Sequence, residues 1–195
     1  MTIRKLARNS SGQALIETAI MLPLLLVIVL NAVNFAFFFL MALNITSSSR
    51  SSGIYSVMGG ATPAVKALPP AGPQTTASSV SYLAYQDLTG AVSTPSTSNT
   101  GINVCSSTVG ITGKGSTTAT TCTSNGAGGG FPSSAEADPE APSFLLGRVD
   151  VAYKFSPPIP FSTFNLIVLA APNCVSSGGT VTCTFYRHVV MREMQ

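Results

Sequence analysis

Ser11-Gly12-Gln13-Ala14-Leu15-Ile16-Glu17-Thr18-Ala19-Ile20-Met21-Leu22-Pro23-Leu24-Leu25 opens a segment in which no charge occurs between Ala19 and Ile45. At about 1.5 Å of rise per helical residue that uncharged stretch is roughly 40 Å long, more than the ~30 Å hydrocarbon core of a bilayer. The segment predicts one membrane-spanning helix. The run far exceeds the roughly 7–15 apolar residues of a secretory signal and is not followed by a convincing small-x-small cleavage site, so a cleavable secretory signal is the weaker reading. Arg4, Lys5 and Arg8 precede it and Arg50 follows it. That bias places the N-terminus in the cytoplasm and the bulk of the chain outside.

Glu17 is out of place in such a helix. An acidic side chain just inside an apolar span costs about 2.5 kcal/mol or more unless it finds a partner. A position at the headgroup level, helped by the helix dipole, is one way to offset that cost. Cleavage after Gly12 is another. It would make Gln13 the first residue, create a cationic α-amine there, and leave Glu17 as the fifth residue of the mature chain. Pro23 frees the Ala19 carbonyl and predicts a slight bend, as membrane prolines do.

This arrangement resembles type IV pilins. Glu17-Thr18-Ala19 followed by Met21-Leu22-Pro23-Leu24-Leu25 is similar to the opening of the TadE-like pseudopilins of tight-adherence (Tad/Flp) pili. At the other end Val149-Asp150-Val151-Ala152-Tyr153-Lys154-Phe155, the prolines from Pro157 to Pro160, and Val189-Val190-Met191-Arg192-Glu193 resemble that family's closing strands and proline-rich turn. The resemblance implies removal of a leader by a membrane-embedded prepilin peptidase at Gly12 and Gln13. It also implies pairing of Glu17 with the N-terminal amine of a neighbouring subunit. The small residue before the cut suits a narrow protease cleft. Thr18, where many relatives carry an aromatic residue, favours the minor class over the major Flp pilins. TadE-like and TadF-like members are not separated by these motifs, whereas the length argues against the larger TadG-like relatives.

The rest of the composition fits an exported head. The formal charge of +3 resides in the three basic residues of the leader, without which seven Lys and Arg face seven Asp and Glu. With 9% charged residues the chain offers no basic face for phosphates, and nucleic acid is not an expected partner. Cys105, Cys122, Cys174 and Cys183 lie beyond the span, even in number and without C-x-x-C spacing, which predicts two disulfides. Three pairings are open. Loop-closure entropy favours Cys105 with Cys122 and Cys174 with Cys183, the second bracketing a turn at Gly178-Gly179. No metal site is expected, with His188 the lone histidine.

The helix is predicted to continue as a polar-faced stem to Met58, before Gly59-Gly60, and to hold the head away from the bilayer. Val80, Leu83, Ala84, Leu88, Ala91 and Val92 predict a short second helix whose apolar face covers a sheet. Residues 94–142 are dominated by Ser, Thr, Gly and Ala, with a modest strand at Ile102–Val109 and little expected contribution to a core. Val149, Val151, Tyr153 and Phe155 alternate with Asp150, Ala152 and Lys154, the clearest strand in the chain. Thr180–Met191 closes the sheet, and the apolar run Phe161–Ala171 either packs in the head or contacts another subunit. The expected fold is α+β: a long N-terminal transmembrane helix with stem, and a small disulfide-stapled antiparallel head packed on helix. The expected organisation is a leader at 1–12, helix and stem at 13–58, and head at 59–195.

Catalytic patterns fail on inspection. Gly113-Lys114-Gly115-Ser116 lacks the glycine that a phosphate loop requires at Thr108, and no G-x-S-x-G elbow occurs. Glu136, Asp138 and Glu140 read better as a solvated loop than as a calcium site. The expected function is a non-enzymatic minor pilin or pseudopilin that assembles, primes or caps a Tad-type pilus, with no cofactor and no small-molecule substrate. Its expected partners are the membrane, the prepilin peptidase, other pilin subunits and the pilus assembly machinery. The alternative is an uncleaved single-pass envelope protein whose head binds a ligand or surface.

Overall fold

A computed structural model describes residues 10–58, 70–89, 94–108, 119–127, 131, 145–159, 165–167 and 171–193. Helix α1 runs from Ser10 to Met58 and continues through Pro23. Helix α2 spans Val80–Leu88, and five strands follow: β1 Thr100–Thr108, β2 Ala119–Gly126, β3 Leu145–Phe155, β4 Cys174–Ser177 and β5 Thr180–Glu193. They form one antiparallel sheet in the order β2-β1-β3-β5-β4. The fold is α+β, as the patterning predicts. The leader basics, Gly59-Gly60, the Gly113–Ser116 stretch and the Glu136–Glu140 acids lie outside the described residues.

The two halves of α1 have different surroundings. From Leu15 through Val29 the large apolar side chains are exposed except for half-buried Val27, which suits lipid or a neighbouring helix. From Asn31 onward one face becomes buried, and Met41 and Ile45 are fully enclosed by the head. The stretch read as a polar-faced stem is split: Thr46, Ser47 and Arg50 are exposed, while Ser48 and Ser49 are interior. Ser48, Ser52 and Ser56 are fully buried, and their spacing places them on one stripe of α1. Small side chains let another backbone approach closely, and the Ser48 hydroxyl donates to the Ala84 carbonyl of α2 at 3.2 Å. Gly53 serves the same end on the sheet side, where a Cβ would lie 2.3 Å from Val189 Cγ1. The buried stripe of the stem is thus a wall of the head.

Helix α2 starts where Ser79 caps it, its hydroxyl accepting from the Tyr82 N–H at 3.1 Å. Its buried residues Val80, Ser81, Ala84, Tyr85 and Leu88 pack chiefly on α1 and touch β1 less. The expectation of a sheet-covering helix is corrected to that extent, since α1 already occupies that face. The helix ends at Leu88, and Ala91 and Val92 lie outside the described residues.

The sheet is framed by β3 as its centre. Val149, Val151, Tyr153 and Phe155 join Val181, Cys183 and Phe185 of β5 in the core, and Phe185 stacks at 4.8 Å on Phe38 of α1. The expectation of little core from the Ser/Thr-rich middle fails at β1. Ile102, Val104 and Cys105 are buried there because β1 is an interior strand, paired with both β2 and β3. Position in the sheet outweighs the polar composition of the segment. Strand β2, unforeseen in the sequence, pairs Cys122 with Cys105. The disulfides are Cys105–Cys122 and Cys174–Cys183. The second closes a hairpin whose two turn residues, Gly178 and Gly179, have φ of 58° and 83°, conformations that a two-residue turn demands and glycine adopts without strain.

Candidate functional site

Gly12, Gln13, Glu17 and Pro23 all lie on the bare N-terminal half of α1. Nothing stands within 4 Å of where a Gly12 side chain would begin. Helical spacing stacks Glu17 one turn above Gln13 on the same face. Glu17 is exposed, and among the described residues it has no hydrogen-bond or ion-pair partner. Its surroundings are apolar: Met21, Leu22 and Leu25 border the carboxylate's side of the helix together with Thr18. The arrangement is an acid on a greasy surface, open to whatever cation packs beside it.

A second polar feature of α1 is absent from the sequence reading. Asn31 and Asn34 are 6% and 3% exposed and bind backbone of the segment after β3. The Ile159 N–H donates to Asn34 Oδ1 at 3.2 Å while Asn34 Nδ2 donates to the Ile159 carbonyl at 3.2 Å. The Leu166 N–H donates to Asn31 Oδ1 at 2.9 Å, and Asn31 Nδ2 donates to the Val27 carbonyl at 2.9 Å. Around this clasp Asn165 and Ile167 are buried and Leu166 is exposed, so the described part of the 161–171 run both packs and presents an apolar side chain.

On the far face of the sheet lies a buried ionic cluster. Arg148 Nε donates to Asp150 Oδ1 at 2.9 Å, with side chains 7% and 0% exposed. Asn103 Nδ2 donates to Asp150 Oδ2 at 3.2 Å, the Tyr186 hydroxyl donates to Asp150 Oδ1, and Arg148 Nη2 donates to the Tyr186 oxygen at 3.0 Å. Alternation along β3 turns Asp150 away from the core that faces α1, yet its side chain is fully buried. The Phe131 ring lies 6.1 Å from Tyr186, a contact between residues 55 positions apart that no periodicity signals. The cluster holds no nucleophile, and both Asp150 oxygens are engaged, so its chemistry is structural. His188 is exposed, directly across β5 from Asp150. Among the described residues no three His, Cys, Asp or Glu side chains gather where a metal would bind.

Burial raises the Tyr85 hydroxyl above the ordinary tyrosine value against an opposing hydrogen bond to Thr100. Tyr186 is raised by burial and then by its bond to Asp150. A raised value in the folded state means that the unfolded chain releases these protons first. Their stabilisation is complete below the ordinary value of about 10 and is lost as pH rises through the folded-state values. The urea midpoint is expected to fall between about pH 10 and pH 12, and Tyr186→Phe is expected to flatten that fall. A midpoint flat across the interval would refute the assignment.

Among the described residues, α1 is the one helix long and apolar enough to cross a membrane. Its first half is bare and apolar and its second half is built into an antiparallel, disulfide-linked head, an arrangement that suits a membrane anchor carrying a head. Residues 12–52 match the family model for TadE-like protein, so over most of α1 the chain is similar to TadE-like proteins. No curated protein and no solved structure matches it.

Proposed function

We propose that the protein is a minor pilin or pseudopilin, held in the inner membrane with its head outside, trimmed between Gly12 and Gln13, and used in assembly, priming or capping of a Tad-type pilus. The observation that carries this reading is Glu17, an exposed carboxylate on the apolar half of a TadE-like helix. The new Gln13 α-amine of a neighbouring subunit supplies the cation that offsets its cost, and the pairing sets subunit register. Prepilin peptidase, neighbouring pilins and the assembly machinery are its partners, and its work is mechanical: lateral packing of helices and display of the head.

Intact mass and N-terminal sequence, with and without a prepilin peptidase, test the processing step. Loss of residues 1–12 is expected with the peptidase and is expected to be blocked in Gly12→Val. Glu17→Gln is expected to leave cleavage intact while lowering incorporation into pili by about tenfold or more, as an unpaired amine in an apolar bundle costs about 2 kcal/mol. An unchanged N-terminus would instead turn the reading to a permanently anchored head that binds a ligand or surface.

A further inference from the structure

A cavity-like groove of about 350 Å³ runs between α1 and the segment after β3, lined by Pro23, Leu26, Val27, Leu30 and Ile159 with the two asparagines at its edge. Its depth along α1 identifies its occupant. Measured from Glu17, Asn31 and Asn34 stand about 21 Å and 25 Å up the helix, inside a hydrocarbon slab of ~30 Å. On the other side of α1 exposed apolar surface continues past Asn34 through Phe39, Leu40 and Leu43, about 33–39 Å from Glu17 and so at the outer interface of that slab. The head therefore overlaps the lipid-facing band of its own anchor.

We propose that Ile159 and Leu166 lie at the depth of the membrane leaflet next to the head, with lipid acyl chains filling the groove and covering Leu166. Non-helical backbone is tolerated at such depth only when its polar groups are satisfied within the protein. The asparagines do this for Ile159 and Leu166, Asn34 by engaging both the N–H and the carbonyl of Ile159, and Asn31 by accepting from the Leu166 N–H. Water-exposed backbone would need no such partners, and asparagines in an apolar helix are costly without them. Leu166 is 50% exposed above this clasp, where acyl chains give it an apolar environment. On the strand leading into the segment, Lys154 is exposed, a long cationic side chain suited to the headgroup layer. The segment would fix the height and tilt of the head on the bilayer before the subunit leaves it.

This proposal rests on α1 spanning a membrane, and its test separates the two. The chain has no tryptophan, so single tryptophans placed at exposed positions report their surroundings without background. Leu24→Trp, Leu166→Trp and Ile54→Trp are each reconstituted, as the full chain, in phosphatidylcholine vesicles with and without brominated acyl chains. The expected result is loss of most emission by bromolipid, with a blue-shifted maximum, at Leu24 and Leu166. Ile54, about 30 Å up α1 from Asn34, is expected to respond to aqueous acrylamide instead. Quenching at Leu24 with Leu166 behaving like Ile54 would overturn the proposal and leave the anchor standing. Escape of Leu24 as well would remove the anchor and the proposal together. Circular dichroism matching that of the parent chain confirms that each variant is folded.

Discussion

Asp150→Ala is expected to destabilise the head by about 3–5 kcal/mol, because it strands a buried Arg148 guanidinium. Arg148 loses its 2.9 Å partner while remaining almost fully enclosed, and the Tyr186 hydroxyl and Asn103 amide lose an acceptor in the same step. A typical domain has about 5–15 kcal/mol in total, so this single change approaches global unfolding. The double variant Arg148→Met with Asp150→Leu is expected to cost far less than the single one, since replacing both members of a buried pair by apolar groups of similar volume is often close to neutral. Urea unfolding of the detergent-solubilised chain, disulfides intact, measures both. A single-variant loss under about 1 kcal/mol would show that water reaches the pair.

The fragment 59–195 is expected not to fold, whereas 31–195 is expected to fold with both disulfides formed. The first fragment lacks the wall that encloses the core. Met41 and Ile45 are fully buried in it, and Ser48 supplies the hydrogen bond that seats α2. Removing two such apolar side chains alone costs about 2–5 kcal/mol each, and removing the helix also exposes the core residues of β3 and β5 that face it. The second fragment retains Asn31, Asn34 and every buried residue of α1 while shedding the bare apolar half. Cooperative thermal unfolding, present in 31–195 and missing in 59–195, is the measurement. A cooperative transition at equal temperature in both would mean that the sheet and α2 form a self-sufficient unit.

Several parts of the molecule were legible in the residues. The uncharged run, the alternation of β3 and the Gly178-Gly179 hairpin are local signals, each carried by a dozen residues or fewer or by a continuous composition. The cysteine pairing followed from loop length for the same reason. The Gly12–Glu17 region was visible as a motif, and its geometry adds one fact, that Glu17 stays exposed on apolar surface.

The anchor, the strands and the turns thus follow from chain-local chemistry, in which near neighbours settle the conformation. How far up α1 the head sits does not. Buried serines at 48, 52 and 56 look like a solvated stem until α2 is placed against them, and β1 looks too polar for a core until it is flanked by β2 and β3. Asp150 looks exposed until Arg148, Tyr186 and Asn103 surround it, and Asn34 meets Ile159 across 125 residues. These features depend on which distant surfaces meet, and burial, the property that gives each polar group its role, exists only after they have met.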